Sequence, residues 1–238
     1  MTGSGVRLTD AARRRLARGI EGEVLAGDFD RGRYATDASI YQIFPRAVVV
    51  PRHMEDVRAA MEVARDEGIA VLPRGGGTSQ CGQTANDALV LDLSRHMDGI
   101  LEIDVEARTA TVEPGVVLDH LNAALKPHGL WYPVDVSTSS RATIGGMTAN
   151  NSCGARSIRY GTSRDNVLAI DAVLADGTSA RFGLHMPGQN HAVPDLIGDL
   201  LALGAREAAE IGARFPDVAR RVGGYNIDAL VADGAPVN

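Results

Sequence analysis

The stretch Pro73-Arg74-Gly75-Gly76-Gly77-Thr78-Ser79-Gln80-Cys81-Gly82 constrains this chain more than any other. It follows Ile69-Ala70-Val71-Leu72, an apolar run that reads as a buried strand. Adjacent glycines let the backbone reach positive φ and come close to a ligand. Successive N–H groups in such a turn form a concave nest suited to phosphate oxygens. Arg74 adds a forked cationic donor, and Thr78 and Ser79 add hydroxyls.

The sequel narrows the kind of loop. A P-loop or a Rossmann-type turn leads directly into a helix. Here Ala85-Asn86-Asp87 gives way to Ala88-Leu89-Val90-Leu91-Asp92-Leu93, which is strand-like. No Gly-Lys-Ser/Thr follows the glycines, and no G-x-G-x-x-G opens a helix. Glycine clusters also serve as plain punctuation between elements, so a second feature has to carry the chemistry. Ser137 to Gly154 supplies one: a long segment of small and hydroxyl residues, followed by Arg159-Tyr160-Gly161-Thr162. Long structureless segments in compact domains are usually functional.

Around these loops the hydrophobic pattern predicts alternating helices and strands. Thr9-Asp10 caps a first helix with Leu16, Ile20 and Val24 on one face, ended by Gly27-Asp28. Arg13-Arg14-Arg15 and Arg18 form its solvated face. Ala47 to Val50, a helix with Val57, Met61 and Ala64 inward, and Ile69 to Leu72 make a strand–helix–strand unit. Leu101, Ile103 and Val105 alternate, as do Ala110 and Val112, which predicts a hairpin turning at Glu106-Ala107-Arg108. A helix through Val117, Leu121 and Leu125 follows, then a short strand at Leu130-Trp131-Tyr132-Pro133. Val167–Leu174 and Ser179–Phe182 pair about Asp176-Gly177, and Pro194–Phe215 is a helix.

Composition removes several function classes. A net charge of −6 over 238 residues leaves no basic footprint for nucleic acid. No apolar run approaches membrane-span length, and the first residues lack the apolar core of a secretory signal. A cytoplasmic location is the expectation. Cys81 and Cys153 suit neither a disulfide framework nor a metal cluster. The histidines at 53, 96, 120, 128, 185 and 191 show no ligand spacing, and there is no Gly-x-Ser-x-Gly elbow. Any reaction here therefore falls to a bound cofactor rather than to the protein's own side chains.

Taken together, Pro73 to Ser79, Val112-Glu113-Pro114-Gly115-Val116, Thr143-Ile144-Gly145-Gly146, Asn151-Ser152-Cys153-Gly154 and Tyr160-Gly161 resemble the FAD-binding domain of the vanillyl-alcohol oxidase and p-cresol methylhydroxylase superfamily. Within it the likeness is to FAD-linked dehydrogenases of D-2-hydroxy acids: glycolate oxidase FAD subunits, D-lactate dehydrogenase and D-2-hydroxyglutarate dehydrogenase. Arg33-Tyr34 to Ser39, and Arg221 to Asn226, are similar to large members with a downstream iron–sulfur region. The resemblance spans about Arg33 to Leu230.

The resemblance implies an α+β, two-subdomain p-cresol methylhydroxylase-type FAD-binding fold. It implies an N-terminal helical extension over residues 1–44 and the FAD-binding domain over 45–238. The second subdomain would begin near Leu101, with FAD between the two. Arg74, Gly75, Gly76, Gly77, Thr78 and Ser79 would hold the pyrophosphate; Ser139, Thr143, Gly145 and Gly146 would lie against the pyrophosphate and flavin. Asn151, Ser152, Gly154 and Gly161 would line the flavin and its ribityl chain, and Val167 or Ile170 would meet the adenine end. Thr78 stands where some relatives have a flavin-linking histidine, so the FAD would be non-covalent. Cys153 is either a small loop residue or a thiol near the flavin.

The family pattern continues past Gly224-Tyr225-Asn226 into the rest of the FAD domain and a substrate domain, so the chain is expected to be C-terminally truncated. The hydroxy-acid substrate, the base and any iron–sulfur cluster would belong to that downstream region. The pattern assigns no catalytic residue and no metal ligand to this chain, and names no electron acceptor. The competing reading is a non-catalytic nucleotide-phosphate module or a chain unable to hold FAD; an NADPH-dependent reductase on a related FAD fold is a third.

Overall fold

The computed structural model describes residues 5–183, 192–218 and 220–230. His185 and His191 lie outside them. Contacts divide the chain into two compact units: residues up to 132 together with 136–149, and 133–135 together with residues from 150 onward.

The first unit opens with α1 (Asp10–Gly19), whose N-cap Thr9 accepts a hydrogen bond from the Ala12 amide at 3.1 Å. The helix stops at Gly19, earlier than the Leu16–Ile20–Val24 spacing predicts. Glu21 and Gly22 turn instead onto the buried Asp56 carboxylate, which accepts both their amides and that of Arg52. Val24 then lies in β1 (Glu23–Leu25), yet Leu16, Ile20 and Val24 still pack into one core. The periodic pattern was real, but its last members reach the core from a cap and a strand.

After α2 (Asp28–Arg33) come β2 (Ala47–Val50), α3 (Met54–Asp66), β3 (Val71–Arg74) and β4 (Leu89–Asp92). The four-stranded sheet runs β1-β2-β4-β3, with β1 antiparallel to β2 and the other pairs parallel. β2 and β4 are buried along their whole length, β4 between two parallel neighbours and β2 between β4 and the antiparallel β1. α1 and α3 cover one face, burying Leu16, Val57, Ala60, Val63 and Ala64. Arg15 ties the two helices by ion pairs to Glu62 and Asp66, both at 2.6 Å.

β3 begins two residues later than the apolar run and includes Pro73 and Arg74. It lies at the edge of the sheet, where a proline's missing N–H breaks no ladder bond. The glycine turn therefore starts at a strand end fixed by the register Arg74↔Asp92.

β5 (Ile100–Asp104) and β6 (Thr109–Val112) form the expected hairpin. Its inner face differs from the alternation read in the sequence. A register shift between Ile100 and Glu102 turns Ile100 and Ile103 inward and leaves Leu101 64% exposed and Val105 46% exposed. Ile100, Ile103, Ala110 and Val112 pack with Leu121 and Leu125 of α4 (Leu118–Leu125).

No strand forms at Leu130–Pro133. The Tyr132 amide donates to the Asn122 side chain at 2.7 Å, so a side chain replaces the missing ladder, while Leu130 and Tyr132 still pack on the hairpin core. α5 (Ile144–Ala149) closes this unit. The hairpin belongs to the same unit as the sheet, so the boundary expected near Leu101 is displaced to Asn150. Backbone bonds from Glu113 to Gly99, Gly115 to Met97 and Ile144 to Val116 stitch the hairpin, its exit and α5 together.

The second unit contains α6 (Ser157–Tyr160), α7 (Ser163–Asn166), the antiparallel pair β7 (Ala169–Val173) and β8 (Ser179–Gly183), and α8 (Pro194–Arg214). Gly177 takes the turn between β7 and β8 at φ 90°. Along α8, Ile197 and Gly204 are buried, and a Cβ at Gly204 would collide with the Leu230 carbonyl.

Candidate functional site

The glycine loop leaves β3 beside β4. The Arg74 carbonyl accepts from the Leu93 amide at 3.0 Å, extending the parallel ladder by one bond. Beyond that bond the main chain of the glycine turn has no ladder partner. Among the described residues, no hydrogen bond is donated by the amides of Gly75, Gly76, Gly77, Thr78 or Ser79. They lie in a half-exposed turn with Gly77 at φ 65°. A row of unpartnered amides is the donor set an anionic oxygen cluster requires, and at a diphosphate each would make a charge-assisted bond.

The same loop lies directly against the start of α5. A Cβ on Gly76 would overlap the Arg141 carbonyl oxygen and sit 3.0 Å from its carbon. A Cβ on Gly75 would overlap the hydroxyl of Thr143, which is 2% exposed. Arg74–Ser79 and Ser139–Gly146 are thus neighbours within one unit.

The two sets differ in what they can offer. The amides of Ile144, Gly145 and Met147 donate to Val116, Pro114 and Thr143 carbonyls, and that of Gly146 to the Thr143 hydroxyl at 3.3 Å. A Cβ on Gly145 would be 2.6 Å from Pro114 Cβ, so close packing explains that glycine. The Ser139 carbonyl accepts from Asp119 at 3.2 Å. The helical end of the second set, with its amides already paired, shapes the floor under the loop.

Arg74 behaves differently from the free phosphate donor that its sequence position suggests. Its Nη1 donates to the carbonyls of Tyr34 and Thr84, both at 3.0 Å, and its Nη2 to that of Thr36 at 2.8 Å. The guanidinium lies 5.3 Å from the centroid of the Tyr34 ring. Burial pulls its pKa below the usual arginine value, opposed by the charges of Asp92 and Asp37. Tyr34 in turn donates to Asp92 at 2.7 Å; burial first, then that bond, pushes the phenol up to about 12.

Asp37 accepts from the Thr84 hydroxyl at 3.1 Å and the Ser39 amide at 2.8 Å. Desolvation is the largest influence on its pKa and raises it, yet the bonds from Ser39 and Thr84 together outweigh it and hold the carboxyl below its usual value. Sequence reasoning missed Tyr34, Asp37 and Thr84. Only the identity of Arg74, a cation at a strand end, hinted that something must accept from it.

In the second unit, Asn151 adopts φ 46° and its side-chain oxygen accepts from the Arg164 amide at 2.9 Å. The Ser152 carbonyl accepts from both the amide and the hydroxyl of Ser163. The Gly154 amide donates to Ser157 at 3.0 Å, and a Cβ there would overlap Asp135. Gly161, at φ 81°, separates α6 from α7, where Thr162 and Asp165 form a capping box. Asn151, Ser152, Gly154 and Gly161 are therefore gathered around these two short helices. Val167 follows α7, and the half-buried Ile170 lies in β7. Arg164 also pairs with Asn226 and Asp228, which ties the Gly-Tyr-Asn segment to α7. Cys153 is a half-exposed free thiol. No cluster of His, Cys, Asp and Glu among the described residues is arranged to hold a metal ion.

A family profile described as "FAD binding domain" matches residues 45–183. D-2-hydroxyglutarate dehydrogenase of Pseudomonas putida is 42% identical over 227 residues, covering 89% of this chain and 22% of the relative. Glycolate oxidase subunit GlcD of Bacillus subtilis is 41% identical over 161 residues, covering 66% of this chain and 34% of that protein. The chain thus spans about a fifth to a third of the length of these relatives. Among solved structures, alkyldihydroxyacetonephosphate synthase shares the fold, with a TM-score of 0.68 at 20% identity over 79% of this chain and 37% of that one. Among the described residues no helix is long and apolar enough to cross a membrane. The chain belongs to the FAD-binding domain family.

Proposed function

We propose that this chain holds FAD non-covalently and forms the flavin-binding part of an oxidoreductase acting on a D-2-hydroxy acid of the glycolate, D-lactate or D-2-hydroxyglutarate type. The observation that carries the reading is the row of undonated amides from Gly75 to Ser79, in a chain 42% identical to a D-2-hydroxyglutarate dehydrogenase. These amides would hold the diphosphate, with Ser139, Thr143, Gly145 and Gly146 forming the surface beside it. Asn151, Ser152, Gly154 and Gly161 would line the flavin and ribityl chain, and Val167 or Ile170 would meet the adenine. Bound FAD would supply the hydride acceptor. The chain's own contribution is binding and orientation. Thr78 has no ring nitrogen with which to attach a flavin. Residues 1–44 would form an N-terminal extension to a FAD-binding domain running from 45 to 238. A cytoplasmic setting, where Cys81 and Cys153 stay reduced, is part of the same proposal.

The test is spectroscopic. The full-length protein should carry flavin absorbance, lose all of it from the polypeptide on denaturation, and be bleached anaerobically by one of the three hydroxy acids. Colour that stays with the denatured chain refutes the non-covalent reading. Failure of the apoprotein to take up FAD refutes the site. Bleaching by NADPH but by no hydroxy acid moves the chain to the reductase class.

A further inference from the structure

The geometry points to an anchored brace: residues 34–42, upstream of the matched family domain, hold the glycine loop in shape through Arg74, which acts as a positioning residue rather than a phosphate ligand. This rests on the reading of Gly75–Ser79 as the diphosphate site.

The segment closes on itself through the antiparallel bridge Thr36↔Gln42. One side of it presents the Tyr34 and Thr36 carbonyls, and both terminal nitrogens of Arg74 are committed to these and to Thr84. Thr84 lies at the far end of the loop, so one guanidinium joins the loop's beginning, its end and the upstream segment. Asp37 repeats the connection independently, through the Thr84 hydroxyl at 3.1 Å. Tyr41 makes a third contact: a Cβ on Gly82 would be 2.5 Å from its ring. Within the loop, a Cβ on Gly77 would be 2.7 Å from Arg74 Nη2, so the turn is moulded on the guanidinium. Tyr34, bonded to Asp92 at the end of β4, fixes the whole arrangement to the sheet.

A loop whose amides are unpaired loses conformational entropy when it closes on a ligand. A brace that orders it beforehand removes part of that loss. Lysine replaces Arg74 poorly in this role, because one ammonium nitrogen cannot occupy the positions of both Nη1 and Nη2.

Asp37→Asn gives the deciding test. Removing a negative charge near an anionic diphosphate strengthens binding if charge alone matters. The brace requires the opposite: FAD affinity falls, by about tenfold for the loss of a charge-assisted bond. Arg74→Lys should fall at least as far. A direct phosphate ligand would instead be largely rescued by lysine.

The loop carries its own reporter, the exposed Cys81. In a Cys153→Ser background, a nitroxide on Cys81 of the flavin-free protein should become more mobile in both Asp37→Asn and Arg74→Lys, with the thermal midpoint of the remainder retained. Unchanged label mobility with unchanged or tighter FAD binding in Asp37→Asn overturns the brace. Because the label is read without flavin, the brace stands or falls separately from the cofactor assignment. Should Arg74→Lys fail to fold, Asp37→Asn and Thr84→Val provide the same reading from the other end.

Discussion

Gly75 and Gly76 meet different obstacles, and replacing each by alanine should show it. At Gly76 the obstacle is backbone: the new Cβ overlaps the Arg141 carbonyl and stands 3.0 Å from its carbon. Comfortable carbon contacts begin near 3.5 Å, so the loop and the 141–143 segment must part by about 1 Å. Overpacking of this kind costs about 1–3 kcal/mol. If the strain is borne by the flavin-free protein, its thermal midpoint drops by about 2–4 °C per kcal/mol for a chain of this size. If the loop shifts instead, the loss appears as a roughly 5- to 150-fold weaker FAD affinity, since 1.4 kcal/mol is about tenfold.

At Gly75 the obstacle is the Thr143 hydroxyl, which can be deleted. Thr143→Ala should therefore recover much of the Gly75→Ala defect and none of the Gly76→Ala defect, a non-additivity expected only of touching groups. Calorimetry of the apoprotein and fluorescence titration with FAD measure both terms. Gly76→Ala with a wild-type midpoint and an affinity within twofold would refute the close approach on which the site is built.

Gly198 and Gly212 of α8 face open space, so alanine at either should stabilise the protein by roughly 0.5–1 kcal/mol, read as a higher midpoint. Asp56→Ala leaves the amides of Glu21, Gly22 and Arg52 without their acceptor and should destabilise by about 3 kcal/mol in urea unfolding, whereas an exposed carboxylate such as Glu106 should be neutral. Burial and the bond to Asp92 push the Tyr34 phenol from its ordinary 10.0 up to about 12, so its neutral form stabilises the fold fully below pH 10 and this contribution is lost as pH rises through 12. Tyr34→Phe should abolish that alkaline step in a stability–pH profile.

The loop's glycines, both hairpins and the strand–helix–strand unit were legible because each is a local pattern of spacing and turn chemistry. What escaped was set by partners far away in sequence. Asp56 draws the chain out of α1 at Glu21, 35 residues upstream of itself, which no helical periodicity encodes. The register shift opposite β6 moves Leu101 to the surface although its spacing from Ile103 is that of a same-face pair. Leu130–Tyr132 is apolar enough for a strand, but Asn122 takes the Tyr132 amide. The partners of Arg74 were not legible either, because they are main-chain carbonyls, which any sequence has everywhere.

Proline at the third residue of β3 also governs how the protein meets other copies of itself. An outermost strand normally offers a continuous row of donors and acceptors to any extended chain that drifts against it. Pro73 interrupts that row immediately before the turn. The side of the sheet that must stay uncovered enough to present the glycine turn is therefore a poor template for intermolecular β pairing, and protection against aggregation is written into the same residues that shape the loop.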